Sequence, residues 1–170
     1  MAMRYGAPWS RLLVVATVGG SGLLLAATIF ICWQVISDAP PGAIILICGL
    51  PPLILLGAAL SAIRGYTVDA NGIFVHRLMW SNQLPWSGLR EVEADPAAMR
   101  GGIRTFGNGG LFSFSGRYWN RRLGHFRAFV TDAKRAVVLR YEGKTFVISP
   151  DEPEAFVSDV RRRLGASGRR

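Results

Sequence analysis

The segment VVLRYEGKTFVISPDEPEAFVSDVRRRL, from Val137 to Leu164, contains the pattern that decides the fold. Two runs rich in β-branched and aromatic residues flank Glu142-Gly143, which predicts a tight β-hairpin. The period then changes, and Ser149 with a proline after it and a glutamate three residues on predicts a helix start. The apolar stripe of this helix comprises Phe156, Val160 and Leu164. We expect the helix to end at Gly165.

Upstream of this segment, short strand-like runs follow one another without helices between them. Asn71-Gly72 lies between two of these runs and is a strong hairpin signal, because both residues tolerate positive φ. Ser81-Asn-Gln83 is predicted to form another turn. Further runs cover residues 73–80, 84–94, 111–115 and 126–131. About six or seven strands of this kind predict a sandwich or barrel rather than a parallel sheet.

The N-terminal part of the chain has a different character, because Asp38 is the only charged residue between positions 12 and 63. Residues 12–36 form one uncharged apolar run and residues 43–63 form a second. At 1.5 Å per residue the runs reach about 37 and about 31 Å, enough to cross a hydrocarbon core of about 30 Å. We therefore predict a transmembrane helical hairpin. A cleaved signal peptide is disfavoured, because its apolar region would be only about 7–15 residues long.

The charges that flank the hairpin predict its orientation. Arg4 and Arg11 precede the first span and Arg64 follows the second, whereas the connecting loop carries no basic residue. The positive-inside rule then predicts a multi-pass cell-membrane protein with both termini in the cytoplasm. Cys32 and Cys48 are interpreted as lipid-facing or helix-packing residues, and a disulfide between them is not expected.

These patterns divide the chain into three parts. Residues 1–65 form an N-terminal tail and the two-span hairpin, residues 66–164 a cytoplasmic domain, and residues 165–170 a disordered basic tail. From residue 64 onward the chain holds 18 Lys and Arg against 10 Asp and Glu, so the soluble part is basic. The predicted fold class is two transmembrane α-helices followed by a mainly β barrel that one C-terminal helix caps.

The predicted domain resembles the bacterial PH-like (pleckstrin-homology-like) domains of small membrane-anchored proteins. The resemblance rests on YTVDANGIFVHR (66–77), LPWSGLREVEA (84–94), RTFGNGGLFSFSGRYWNRRLGHFRAFVTD (104–132) and the closing segment quoted above. It implies a PH-like barrel with a binding or scaffolding role. Phosphoinositide-binding PH domains carry a basic pattern around their first strand pair, where this chain has Asp69-Ala-Asn-Gly72. Phosphoinositide recognition is therefore not expected.

Catalytic and metal-binding patterns are weak in this sequence. Glu91, Glu93 and Asp95 alternate at strand spacing and offer a cation three carboxylates, but a solvated strand face is the favoured interpretation. His76 and His125 are interpreted as surface or half-buried side chains. No nucleophile elbow, metalloprotease, P-loop or dinucleotide motif occurs in the sequence. We expect no enzyme activity, no catalytic or metal-binding residue and no cofactor.

The glycine–aromatic block contains the remaining candidate site. Gly107, Gly109 and Gly110 lack phosphate-loop spacing and are expected to form a turn or bulge, while Gly116 and Gly124 are expected to bracket a second loop. The candidate lipid- or partner-binding residues are Arg117, Tyr118, Trp119, Arg121, Arg122 and Arg127.

In a free soluble protein this basic and aromatic stretch would favour nucleic acid. Here the domain adjoins a membrane helix, so the nearest polyanion is the lipid leaflet, where each Lys or Arg contributes about 1 kcal/mol. We predict binding of anionic lipid headgroups, or of a partner protein or peptide, and no nucleic acid. The alternatives are an ordinary solvated basic face, a homo-oligomer contact, and an accessory subunit of a membrane transporter or enzyme complex that acts through the hairpin.

Overall fold

The computed structural model describes residues 2–35, 37 and 39–167. Two long apolar helices come first among its main elements, then two β-sheets and a C-terminal helix, so the predicted fold class is confirmed. The elements in chain order are β1 Met3–Gly6, α1 Arg11–Val35, α2 Pro41–Leu60, β2 Ile63–Asp69, β3 Gly72–Arg77, β4 Ser81–Leu84, β5 Leu89–Ala94, β6 Ile103–Gly109, β7 Phe114–Asn120, β8 Gly124–Val130, β9 Val137–Tyr141, β10 Lys144–Ile148 and α3 Pro153–Ser167.

The strands form a four-stranded sheet, in the order β1-β2-β3-β4, and a six-stranded sheet, in the order β5-β9-β10-β8-β7-β6. Neighbouring strands are antiparallel except β8 and β10, which run parallel. In the described part of the chain no ladder joins the two sheets, so the predicted barrel is an open sandwich. Its main core lies between the sheets and includes Tyr66, Phe129, Leu139 and Phe156, the last contributed by α3.

Ser149 is a buried hydrogen-bonding centre rather than the predicted helix cap. Its Oγ accepts from the backbone N–H of Thr131 at 2.8 Å, and its own N–H donates to the hydroxyl of Tyr66 at 3.2 Å. That hydroxyl donates in turn to the carbonyl of Phe129 at 2.7 Å, and burial raises the pKa of Tyr66 to about 12. Helix α3 begins four residues later, because these contacts occupy Ser149.

The predicted end of the last helix is also wrong. Helix α3 continues through Gly165 to Ser167, so the first half of the predicted disordered tail is helical. The remaining residues of that tail, 168–170, lie outside the described residues.

Two predicted strand boundaries are wrong for local reasons. Ser81-Asn-Gln83 belongs to β4, and the turn lies before it, where the N–H of Arg77 donates to the carbonyl of Trp80 at 2.8 Å. Residues 111–113 form a turn instead of a strand, since the N–H of Leu111 donates to the side chain of Asn108 at 3.1 Å. The prediction also missed β1 and β6, so the described residues contain ten strands rather than six or seven.

Helices α1 and α2 are long and apolar enough to cross a membrane, with mean hydropathies of 2.1 and 2.5. Among the residues described, α2 buries none, in contrast to a core helix of a globular domain. The second span was predicted to reach Ile63, but α2 ends at Leu60 because Ile63 is buried in β2. Contrary to expectation, Cys32 and Cys48 form a disulfide, since the antiparallel helices bring their Cα atoms to 6.0 Å.

The N-terminal tail belongs structurally to the β domain. β1 pairs antiparallel with β2, with Tyr5 opposite Tyr66, so the chain segments before α1 and after α2 meet in one sheet. The ring of Tyr5 also contacts Phe156 edge-on at 5.1 Å, and its hydroxyl donates to Asp159 in α3. Both ends of the helical hairpin therefore leave the domain on the same side.

Candidate functional site

A groove of about 590 Å³ opens where the four-stranded sheet diverges from the β6–β8 part of the six-stranded sheet. Its side chains include three arginines and two exposed aromatic residues, which we call the arginine groove: Arg77, Arg117, Arg127, Trp80 and Phe106. Trp80 is 46% exposed and Phe106 is 76% exposed. The groove combines positive charge with apolar surface.

Strand register brings the three guanidinium groups of the arginine groove together. Arg117 of β7 and Arg127 of β8 are direct cross-strand partners. Arg77 ends β3 in the other sheet, and its side chain crosses to donate to the hydroxyl of Ser115 at 2.6 Å. It also donates to the backbone carbonyl of Ser61, so Arg77 links both sheets to the end of α2.

The charges of the arginine groove lack acidic neighbours. Among the described residues, neither the groove lining nor any ion pair supplies a carboxylate to Arg77, Arg117 or Arg127. Burial lowers the pKa of Arg77, and the positive charge of Arg127 lowers it further. Both effects mean that the charged form of Arg77 is poorly compensated, which a bound anion would correct.

Aromatic rings, and not carboxylates, are the close neighbours of the guanidinium groups of Arg77 and Arg127. Arg77 lies over the ring of Phe129 at 5.3 Å and over Trp80 at 5.6 Å, and Arg127 lies over Phe129 at 5.1 Å. Cation–π contacts hold the guanidinium planes without neutralising them. The guanidinium groups of Arg77 and Arg127 are thus held in place while their net charge remains available.

The arginine groove lies at the end of the domain that is connected to the candidate spans. Ser61, which lines the groove, is the C-cap of α2, and Ile63 two residues later pairs with Arg77. Because β3 approaches α2 at this end, the groove opens next to the point where the candidate span leaves the domain. Aromatic residues beside basic ones are typical of a membrane–water interface.

Two glycines form the floor of the arginine groove, where β6 and β7 approach closely. Gly107 faces Gly116 across the ladder, and a register shift between Arg104 and Phe106 marks a bulge. A Cβ atom on Gly116 would lie 2.1 Å from the carbonyl oxygen of Phe106. Of the glycines predicted to form a turn or bulge, only Gly110 lies in the turn, because Gly107 and Gly109 belong to β6 and the bulge precedes them. Gly116 lies inside β7 and does not border a loop.

The turn between β6 and β7 packs against the first candidate span. The hydroxyl of Thr17, which is 4% exposed, accepts from the N–H of Phe112 at 2.9 Å and donates to the carbonyl of Gly110 at 3.3 Å. The ring of Phe112 also meets Trp9 edge-on at 6.1 Å. The first two turns of α1 therefore hold the hairpin that forms one wall of the groove.

We expect Thr17→Val to loosen this hairpin without unfolding the domain. Valine keeps the shape of threonine but removes both hydrogen bonds, at a cost of about 1–2 kcal/mol. Amide exchange at Phe112, followed by mass spectrometry on the full chain, should accelerate about tenfold. Thr28→Val is the matched control, because the hydroxyl of Thr28 donates only within α1, to the carbonyl of Leu24. Equal exchange rates at Phe112 in the two variants would contradict a role for the Thr17 hydroxyl in holding the β6–β7 turn.

The six residues predicted to bind lipid or a partner do not form one surface. Arg117 and Arg127 line the groove, whereas Tyr118 faces the opposite side, buried and stacked on Phe126. Trp119 is half-buried, and Arg121 and Arg122 lie exposed in the β7–β8 turn, away from the helices. Sequence reasoning missed Arg77, Trp80 and Phe106. The sequence signal that could have indicated this region is the unusually apolar turn Leu78-Met-Trp80, directly after Arg77.

The other candidate residues are engaged in ordinary structural contacts. Arg140 pairs with Glu91 at 3.3 Å and with Glu93 at 3.1 Å, which compensates these carboxylates. The imidazole of His76 contacts the hydroxyls of Thr67 and Ser81, each at 2.8 Å. Within residues 2–35, 37 and 39–167, no group of three His, Cys, Asp or Glu side chains is placed to hold a metal ion.

Comparison with protein families identifies the domain. The family model described as a bacterial PH domain matches residues 64–164, more than half of the 170-residue chain. The chain belongs to the bacterial PH domain family. This PH domain match covers β2 to β10 and most of α3, and leaves out β1 and both candidate spans. No curated protein and no solved structure matches the chain.

Proposed function

We propose that this PH domain protein is a non-enzymatic, membrane-anchored protein whose arginine groove binds anionic lipid headgroups. The observation that carries the proposal is the convergence of Arg77, Arg117 and Arg127, without a described acidic partner, beside Ser61 at the end of α2. The proposed ligands are the anionic lipids of the leaflet that surrounds the domain end of α1 and α2. Binding then orients the domain on the membrane that carries it.

The proposed orientation places the domain and both termini in the cytoplasm. Arg4, Arg11 and Arg64 flank the domain end of the hairpin, as the positive-inside rule requires. The disulfide between Cys32 and Cys48 supports this orientation, since Cys32 lies near the end of α1 that is remote from the domain. Disulfides persist on the oxidising side of a membrane.

Energetics favour a lipid over a soluble anion. Each arginine near an anionic leaflet contributes about 1 kcal/mol, so three contribute about 3 kcal/mol. The anchor keeps the groove at the headgroup layer, so binding costs little additional translational entropy. The alternative ligand is an acidic segment of a partner protein, which would bind the same arginines. The alternative function is that of an accessory subunit, which acts through α1 and α2 in a larger membrane complex.

Lipid retention by the full chain tests the proposal. The protein is placed in nanodiscs of equal parts phosphatidylcholine and phosphatidylglycerol, and native mass spectrometry identifies the lipids that stay bound after release. We expect phosphatidylglycerol to be strongly enriched and its retention to fall with added salt, because salt screens exposed charges. Equal retention of the two lipids at low salt would reject headgroup binding.

A further inference from the structure

The turn between β3 and β4 has an unusual composition for a hairpin tip. It consists of Leu78, Met79 and Trp80, whereas tight turns favour Gly, Asn, Asp and Ser. These three side chains are 43%, 70% and 46% exposed. Three adjacent large apolar residues exposed to water at a strand end are unfavourable unless something covers them.

The position of this turn indicates what covers it. β3 runs toward the candidate membrane helices, and its last residue, Arg77, pairs with Ile63 and donates to the carbonyl of Ser61. Leu78 and Met79 extend beyond that pair, level with the last residues of α2. The hydrocarbon around an α2 that spans the bilayer would end at this level.

The corresponding tip of the other sheet supports this assignment. The β6–β7 turn also carries apolar residues, Leu111 and Phe112, but there α1 supplies the cover through Thr17 and Trp9. Both sheets thus direct an apolar hairpin tip at the helical hairpin. Among the residues that the structure describes, no helix covers Leu78, Met79 and Trp80 in this way.

We infer that the β3–β4 turn inserts Leu78, Met79 and Trp80 into the outer part of the leaflet in which α2 is embedded. The occupant of this apolar surface is lipid, because the surface continues the apolar surface of α2. Insertion gives the domain a third membrane contact beside its two connections to the spans, and it holds Arg77 at headgroup level. The inference requires that α1 and α2 span the membrane, and it does not require headgroup binding.

Spin-label depth measurements on the full chain test the inference. Met79→Cys is introduced together with Cys32→Ser and Cys48→Ser, labelled with a nitroxide and reconstituted into vesicles of phosphatidylcholine alone. Neutral lipid excludes any contribution from headgroup charge. We expect the label to be several-fold more accessible to oxygen, relative to a water-soluble nickel complex, than a label in water.

Asn71→Cys in the same background is the matched control. Asn71 is exposed in the turn at the other end of β3, about 17 Å further from α2. Circular dichroism confirms that both labelled proteins are folded, and a label at Leu78 gives a second measurement of the same turn. If labels at 78 and 79 show the aqueous accessibility of the label at 71, the inserted turn is rejected, whatever the outcome for phosphatidylglycerol.

Discussion

In anionic bilayers, the Arg117→Gln/Arg127→Gln variant is expected to bind headgroups about 30-fold more weakly than the wild-type protein. Each arginine contributes about 1 kcal/mol near an anionic leaflet, and a loss of about 2 kcal/mol corresponds to this factor. Both side chains are exposed and form no described ion pair, so the fold should be unaffected. Native mass spectrometry of nanodisc-released protein at low salt measures the change in phosphatidylglycerol affinity.

A second double variant separates the groove from net charge. Arg121→Gln/Arg122→Gln removes the same two charges from the far end of the same strand pair. Arg122 loses its ion pair with Asp95, whose largely buried carboxylate keeps the hydrogen bond from the N–H of Ala97, and circular dichroism checks that this variant is folded. The β7–β8 turn lies about 13 Å along β7 from Arg117, beyond a Debye length of about 10 Å. A comparable loss of affinity in this variant would show that overall charge, and not the arginine groove, attracts the lipid.

Gly116→Ala is expected to have the largest effect on stability of any conservative change in the groove. Gly116 has φ of +145°, and a Cβ atom there would lie 2.1 Å from the carbonyl oxygen of Phe106. Backbone strain of this kind costs about 3 kcal/mol, because the ladder between β6 and β7 must separate. For a domain of this size the melting temperature should fall by about 12–24 °C, as measured by circular dichroism on the full chain in detergent.

Gly124→Ala is the control for this prediction. Gly124 also has a positive φ, +68°, but a Cβ atom there would meet nothing within 4 Å. Its substitution should lower the free energy of unfolding by only about 1 kcal/mol, the ordinary penalty for an alanine in the left-handed helical conformation. Similar melting temperatures for the two variants would mean that β6 can move away from β7 at little cost, and that the floor of the arginine groove is not rigid.

Local patterns were sufficient wherever one short-range interaction dominates. The uncharged runs over 12–36 and 43–63 predicted α1 and α2 within a few residues, because length and apolarity are properties of one continuous run of residues. Glu142-Gly143 predicted the β9–β10 hairpin, since Gly143 has the positive φ of +68° that the turn needs. The order of strands followed by one helix also carried the resemblance to a PH domain.

Long-range partners explain the errors. The tetrapeptide of β1 is too short to signal a strand, and it becomes one only because β2 lies beside it. Ser149 has the residue type of a helix cap, but its Oγ accepts from the buried N–H of Thr131 instead of from the helix. The disulfide between Cys32 and Cys48 depends on how two antiparallel helices are rotated, which their spacing of 16 residues does not specify.

The candidate site shows the same division. Arg117 and Arg127 are evident as basic residues in the sequence, but their neighbours in the chain proved misleading, because alternation along a strand sends Tyr118 to the opposite face. Arg77 joins them from another sheet, 40 residues before Arg117 in the chain. A groove between two sheets has no signature in either segment alone.

The sequence by itself determined that this protein has two long apolar helices, a basic β-rich domain and a terminal amphipathic helix, because periodicity and hydropathy are properties of short continuous segments. Only the tertiary structure decided which arginines line the candidate site. Strand register pairs Arg117 with Arg127, and the divergence of the two sheets beside α2 brings Arg77 and Trp80 to them. Those relations arise from packing between segments distant in the chain, where free energy depends on shape and not on local composition.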